Sequence, residues 1–74
     1  MTKDELIFLV NTKKEFEFTY NGKNYNLTYD RDDNGNDLIV FGQTFQGKKY
    51  ASFGELMNEA RIENHFFREM LDIL

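Results

Sequence analysis

The 74-residue chain has no cysteine, no proline and no tryptophan, only one histidine (His65) and only one serine (Ser52). The missing cysteine excludes disulfides, a thiolate nucleophile and a cysteine zinc site, and it suits a reducing compartment, so the cytoplasm is the expected location. Long apolar runs are missing too. The N-terminal stretch Leu6 to Val10 is far shorter than the roughly 20 residues a membrane-spanning helix needs, and a basic start and a small-residue cleavage site are absent, so neither a signal peptide nor a membrane role is expected. An excess of basic residues is also lacking: 9 Lys and Arg stand against 13 Asp and Glu, for a net charge of −4. Binding to a nucleic-acid backbone relies on cations that displace counterions, so direct nucleic-acid binding is not expected. A basic protein partner would suit this charge.

What is present is aromatic. Phe (8) and Tyr (4) make up 16% of the chain, large side chains that let a domain near the lower size limit build one core. A single domain spanning residues 1 to 74 follows. Repeats, low-complexity segments and linkers are not visible.

Residues 15 to 29 hold the clearest local signal. Two alternating runs flank Asn21-Gly22, a pair that tolerates positive φ at both central positions of a type I′ turn. A two-residue loop then pairs Tyr20 with Lys23, Phe18 with Tyr25, Phe16 with Leu27 and Lys14 with Tyr29. This puts aromatics on one face and Glu15, Glu17, Thr19, Asn24, Asn26 and Thr28 on the other. A slip of one residue would turn the whole apolar set outward, so turn and pattern specify the same register.

Around the hairpin, Thr2 and Glu5 have the spacing of a capping box, which favours a helix from about Lys3 to Val10, with a strand as the competing reading. Leu38-Ile39-Val40-Phe41 reads as a third strand covered on both faces. Gly42 marks a bulge or bend, and residues 43 to 50 continue extended, with Gly47 as another turn point and room for a short fourth strand. Ser52 and Glu55 repeat the capping pattern, and a break near Asn64 divides the remainder into helices at about 52 to 62 and 65 to 73. The expected fold is α+β: a short N-terminal helix, an antiparallel meander of three or four strands, and C-terminal helical segments packed on its aromatic face.

Candidate chemistry is sparse. Asp30, Asp32 and Asn34 followed by Gly35 resemble the opening of a calcium loop, with Asp37 as a further oxygen donor, but Phe41 stands where the bidentate glutamate belongs. An EF-hand is excluded, leaving a weak calcium site as an alternative to a plain polar turn. Ser52 is accounted for as a helix cap. His65 and Glu69 fall one turn apart if the last segment is helical, yet two ligands do not make a metal site. Glu15 and Glu17 share the polar hairpin face without a cleft, which does not make a general acid and base. The aromatic strands lack the cations of a base-stacking platform and are needed for the core. No phosphate-binding loop is present.

The expected function is therefore a non-enzymatic protein-binding or regulatory domain without a cofactor, acting through an acidic surface. Asp32, Asp33, Glu59, Glu63 and Glu69 are the candidate contacts. A nucleic-acid mimic that inhibits an enzyme is a more specific alternative, and homodimerisation through an open sheet edge is another.

Overall fold

The computed structural model describes residues 1 to 74. In chain order it contains α1 (Lys3–Asn11), β1 (Phe16–Tyr20), β2 (Lys23–Arg31), β3 (Asp37–Gln43), β4 (Lys48–Tyr50) and α2 (Phe53–Glu59). A small hairpin of β5 (Arg61–Ile62) and β6 (His65–Phe66) follows, then two 3-10 turns at Phe67–Glu69 and Leu71–Ile73. β1 to β4 form one antiparallel sheet in sequence order, so the fold is the expected α+β meander with helical segments on one face.

Local chemistry explains the first elements. The Glu5 N–H donates to Thr2 Oγ1 and the Thr2 N–H to Glu5 Oε1, each at 3.1 Å, so the capping box is complete and α1 is helical. At the other end Thr12 Oγ1 donates to the Phe8 carbonyl at 2.7 Å, and Lys13 takes φ of 52°, which turns the chain toward the sheet. Asn21 and Gly22 have φ of 52° and 76°, the two positive values a type I′ turn requires, and the Phe16–Leu27, Phe18–Tyr25 and Tyr20–Lys23 register follows. Lys14 does not pair with Tyr29, because β1 begins only at Phe16.

β3 departs from expectation in its covering. Ile39 and Phe41 are buried on the helical side, whereas Leu38 and Val40 on the other face are only half-buried. Helices pack on one side of this sheet alone. The outer face is partly closed by the β3–β4 connection, whose Gly47 lies against Val40. Lys49 adds to this cover by reaching across β3 to Asp30 at 3.0 Å. Residues 44 to 47 form a loop rather than extended chain, and the short fourth strand follows Gly47 as Lys48–Tyr50.

The largest correction lies at the C-terminus. α2 ends at Glu59 with Ala60 already extended at ψ of 139°, and the segment expected as a second helix is instead the β5–β6 hairpin and the 3-10 turns. The helix stops three residues short of the expected end at 62, and Glu63, next to the expected break at Asn64, takes the left-handed conformation (φ 57°) and reverses the chain. Tertiary packing decides this. Ile62, Phe67, Met70 and Leu71 all reach the core from this irregular path, and the Phe67 ring stacks on Phe41 with centroids 4.1 Å apart. A continuous helix would place Ile62 and Phe66 off the apolar stripe.

The core joins Leu6 of α1, Tyr25, Leu27, Ile39, Phe41 and Tyr50 of the sheet, and Leu56, Met57 and Ala60 around α2 to those four residues. It contains no buried unpaired polar side-chain atom. The two chain ends meet beside it, where the Met1 ammonium donates to the Leu71 and Leu74 carbonyls at 2.9 Å each. No helix is long and apolar enough to cross a membrane.

Candidate functional site

The acidic turn between β2 and β3 is held by its own atoms. Asp32 Oδ1 accepts from the N–H groups of Asn34 and Asn36 at 2.9 Å each, and its Oδ2 accepts from the Asn36 side chain at 3.1 Å. These bonds, those from Asn36 foremost, hold the Asp32 carboxyl below the ordinary aspartate range. Gly35, at φ of 82°, lets its N–H close back on the Asp32 carbonyl. The neighbouring carboxylates are occupied as well. Asp37 pairs with Lys13 at 3.0 Å and Arg31 at 3.2 Å, and Asp30 accepts from the Arg31 N–H at 2.7 Å as well as pairing with Lys49. The carboxylates of Asp30, Asp32 and Asp37 are thus each engaged by donors of the protein itself, Asn34 joins them only through its backbone N–H, and no group of three His, Cys, Asp or Glu side chains is placed to hold a metal ion.

The five acidic contact candidates do not make one surface. Asp32 and Asp33 stand at the β2–β3 end of the sheet. Glu63 stands at the opposite end, against the β1–β2 turn, where it accepts from Asn21 Nδ2 at 3.1 Å and lies 3.9 Å from Lys23 Nζ. The nine residues of β2 separate the two ends by about 26 Å at the usual rise per residue. Glu59 lies near the Glu63 end, lining a hollow with Gln46, Lys48 and Arg61, and Glu69 lies on the helical side beside Lys3 and Arg68. The five are therefore spread over both ends of the sheet and its helical side rather than gathered in one cluster.

Ser52 accepts from the Glu55 N–H at 3.1 Å and caps α2, as expected. His65 sits in β6 and Glu69 in a 3-10 turn, so the one-turn helical spacing between them does not exist.

Sequence reasoning missed the most exposed aromatic. Phe45 is 101% exposed and sits at φ of 68°, a left-handed conformation that bulky residues rarely adopt. The loop that carries it is fastened by three hydrogen bonds to two carbonyls. The Gln46 N–H donates to the Gln43 carbonyl at 2.7 Å, and Thr44 donates from its N–H and its hydroxyl to the Asn24 carbonyl at 2.9 and 3.2 Å. A Cβ on Gly42 would meet Gly47 Cα at 3.0 Å, so the two glycines permit the loop to fold back on the sheet. The loop is thus anchored while its tip is bare. Phe8 (58% exposed) and Ile73 (66%) are the other exposed large apolar residues, but Lys14 Nζ lies 5.8 Å from the Phe8 ring centroid. Polar hollows flank Phe45: one lies beside Thr44 and is lined by Glu17, Thr19 and Asn24, and the other contains Gln46 and Glu59. The flanking glycines Gly42 and Gly47 were the available signal, though they do not say which way Phe45 points.

Comparison of the chain with protein-family models, with curated proteins and with solved structures returns no match.

Proposed function

We propose that this protein is a non-enzymatic protein-binding module whose docking surface is the end of the sheet that carries Phe45. The observation that carries the reading is a phenylalanine held wholly in solvent by a loop that three hydrogen bonds anchor to the Gln43 and Asn24 carbonyls. The left-handed conformation costs roughly 1–2 kcal/mol for a residue with a Cβ, and the exposed ring gives the isolated chain nothing in return. Presented to an apolar pocket, the same ring is a pre-ordered anchor, and the polar hollows around it have the anatomy of an interface rim. The net charge of −4 favours approach by a basic partner, and at this end Glu59 and Glu63 stand among Lys23, Lys48 and Arg61. A reducing compartment such as the cytoplasm suits the cysteine-free chain.

The non-enzymatic part of the reading is supported by the largest hollow, about 390 Å³, in which Glu17 is the only carboxylate among six lining residues.

The test is quantitative capture from a lysate with the immobilised wild-type chain and with Phe45→Ser. A protein retained by the first should bind the second about 30-fold more weakly, the loss expected of a central aromatic anchor. Glu59→Gln with Glu63→Gln should lower both the affinity and its dependence on salt. Equal capture by Phe45→Ser and the wild type would overturn the proposal.

A further inference from the structure

β1 and β4 are the two edges of the sheet, and they are protected differently. β4 has three residues, two of them Lys48 and Lys49, and shortness and lysine both discourage an edge from pairing with another chain. β1 has neither safeguard. Its five residues, Phe16 to Tyr20, contain no lysine, no proline and no bulge, and each has an in-register partner on β2.

The turn fixes which main-chain groups remain free on that edge. Tyr20 and Lys23 close a two-residue loop and form a hydrogen-bonded pair, so by alternation Phe18 and Phe16 also direct their N–H and C=O groups to β2. The N–H and C=O of Glu17 and Thr19 therefore point away from the sheet. On the core side of the same edge Phe16, Phe18 and Tyr20 are only half-buried, while Tyr25 and Leu27 one strand inward are buried. The rings of Phe16, Phe18 and Tyr25 neighbour one another with centroids 5.6 and 5.4 Å apart, so the half-buried Phe18 carries the aromatic packing of the core out to this edge.

We propose that β1 pairs antiparallel with β1 of a second copy of this chain, about a two-fold axis through Phe18, joining the two sheets into one. In this register Phe18 faces Phe18, Phe16 faces Tyr20, and Glu17 faces Thr19. All five residues of each strand are used, and the outward N–H and C=O of Glu17 meet those of Thr19 in the other copy. The aromatic packing continues across the axis, where phenylalanines directly opposite each other pack favourably. An axis through Glu17 would set two carboxylates against each other. Self-complementarity under a two-fold axis is why the occupant is a second copy rather than an unrelated strand.

The natural chain has no cysteine, which makes the register directly testable. Glu17→Cys and Thr19→Cys both alter exposed positions. Mixed and oxidised, the two variants should form a disulfide about tenfold more readily than either alone. Positions 17 and 19 oppose one another at a Cα separation near 5.5 Å, whereas two copies of position 17 lie beyond the roughly 7 Å limit. Sedimentation equilibrium of the wild type should pass from monomer at low micromolar to dimer at millimolar concentration. Phe45→Ser should leave that equilibrium unchanged, which separates this dimer from the docking surface above. A monomer at every concentration, a dimer lost in Phe45→Ser, or Glu17→Cys cross-linking with itself as readily as with Thr19→Cys would each overturn the proposal.

Discussion

The Tyr29 hydroxyl lies 2.8 Å from the Lys14 carbonyl oxygen and 3.1 Å from that of Leu9, so one side chain of β2 fastens the segment that joins α1 to β1. This bond occupies the place where sequence symmetry would have extended the hairpin to a Lys14–Tyr29 pair. Tyr29→Phe keeps the ring and removes the donor. A loss of about 1 kcal/mol in urea unfolding is expected, the ordinary net worth of such a bond. Unchanged stability would show that solvent satisfies the Lys14 carbonyl and that the Lys14 N–H, which donates to the Leu9 carbonyl at 2.9 Å, suffices for the other.

Gly47 owes its identity to a neighbour rather than to its own backbone. A Cβ there would come within 2.8 Å of Val40 Cγ1, closer than real side chains approach. Gly47→Ala is expected to destabilise by about 1–3 kcal/mol, the usual range for overpacking. Adding Val40→Ala should recover part of that loss, because the two sites share one contact. Additive losses in the double variant would place the strain elsewhere.

Phe45 tests whether the loop tip is strained. Phe45→Gly relieves the left-handed penalty of roughly 1–2 kcal/mol at an entropic cost of about 0.5–1 kcal/mol, so the variant should be as stable as the wild type or more so. Capture of a partner should fall in the same variant. A clear loss of stability would mean that the ring contributes to folding, contrary to its complete exposure.

Stability should be limited by pH on both sides, through different groups. Asp30, Asp32 and Asp37 are held below the ordinary aspartate value of 3.8. For Asp32 the main cause is hydrogen bonds from Asn36, for Asp30 the Arg31 N–H followed by Lys49, and for Asp37 Lys13 followed by Arg31. A depressed folded-state value stabilises the fold above 3.8, and that contribution is lost as pH falls through the lowered values. Burial, ahead of neighbouring charges, raises Tyr25, Tyr29 and Tyr50 above 10.0, so their neutral forms favour the fold below that pH and lose this effect as pH rises through the raised values. Urea midpoints across the pH range should therefore form a plateau with two falling limbs. Asp32→Asn should flatten the acid limb, and a limb identical to that of the wild type would exclude Asp32 as a titrating group.

The elements legible in the sequence are those fixed over short distances. Thr2 with Glu5, Ser52 with Glu55, and Asn21 with Gly22 each set local geometry through atoms a few residues apart; the first and third appear as read, while Ser52 caps its helix without the reciprocal Glu55 bond of a full capping box. The site was far less legible. Carboxylates at residues 30 to 37 looked like one available charged patch, but their partners Lys13 and Lys49 come from distant parts of the chain. The five acidic candidates were grouped by composition, whereas β2 places Asp32 and Glu63 at opposite ends of the sheet.

The sequence by itself determined the helix starts, the hairpin register and hence the aromatic face, because a period of two and a turn needing two positive φ values leave one solution. Only the tertiary structure decided the path of residues 60 to 74. Their apolar residues suit no single period, and the need to bring Ile62, Phe67 and Leu71 onto the sheet outweighs local helix preference. Tertiary structure likewise decided that Phe45 faces solvent, since its exposure depends on Gly47 meeting Val40 and Thr44 meeting Asn24 across the sheet.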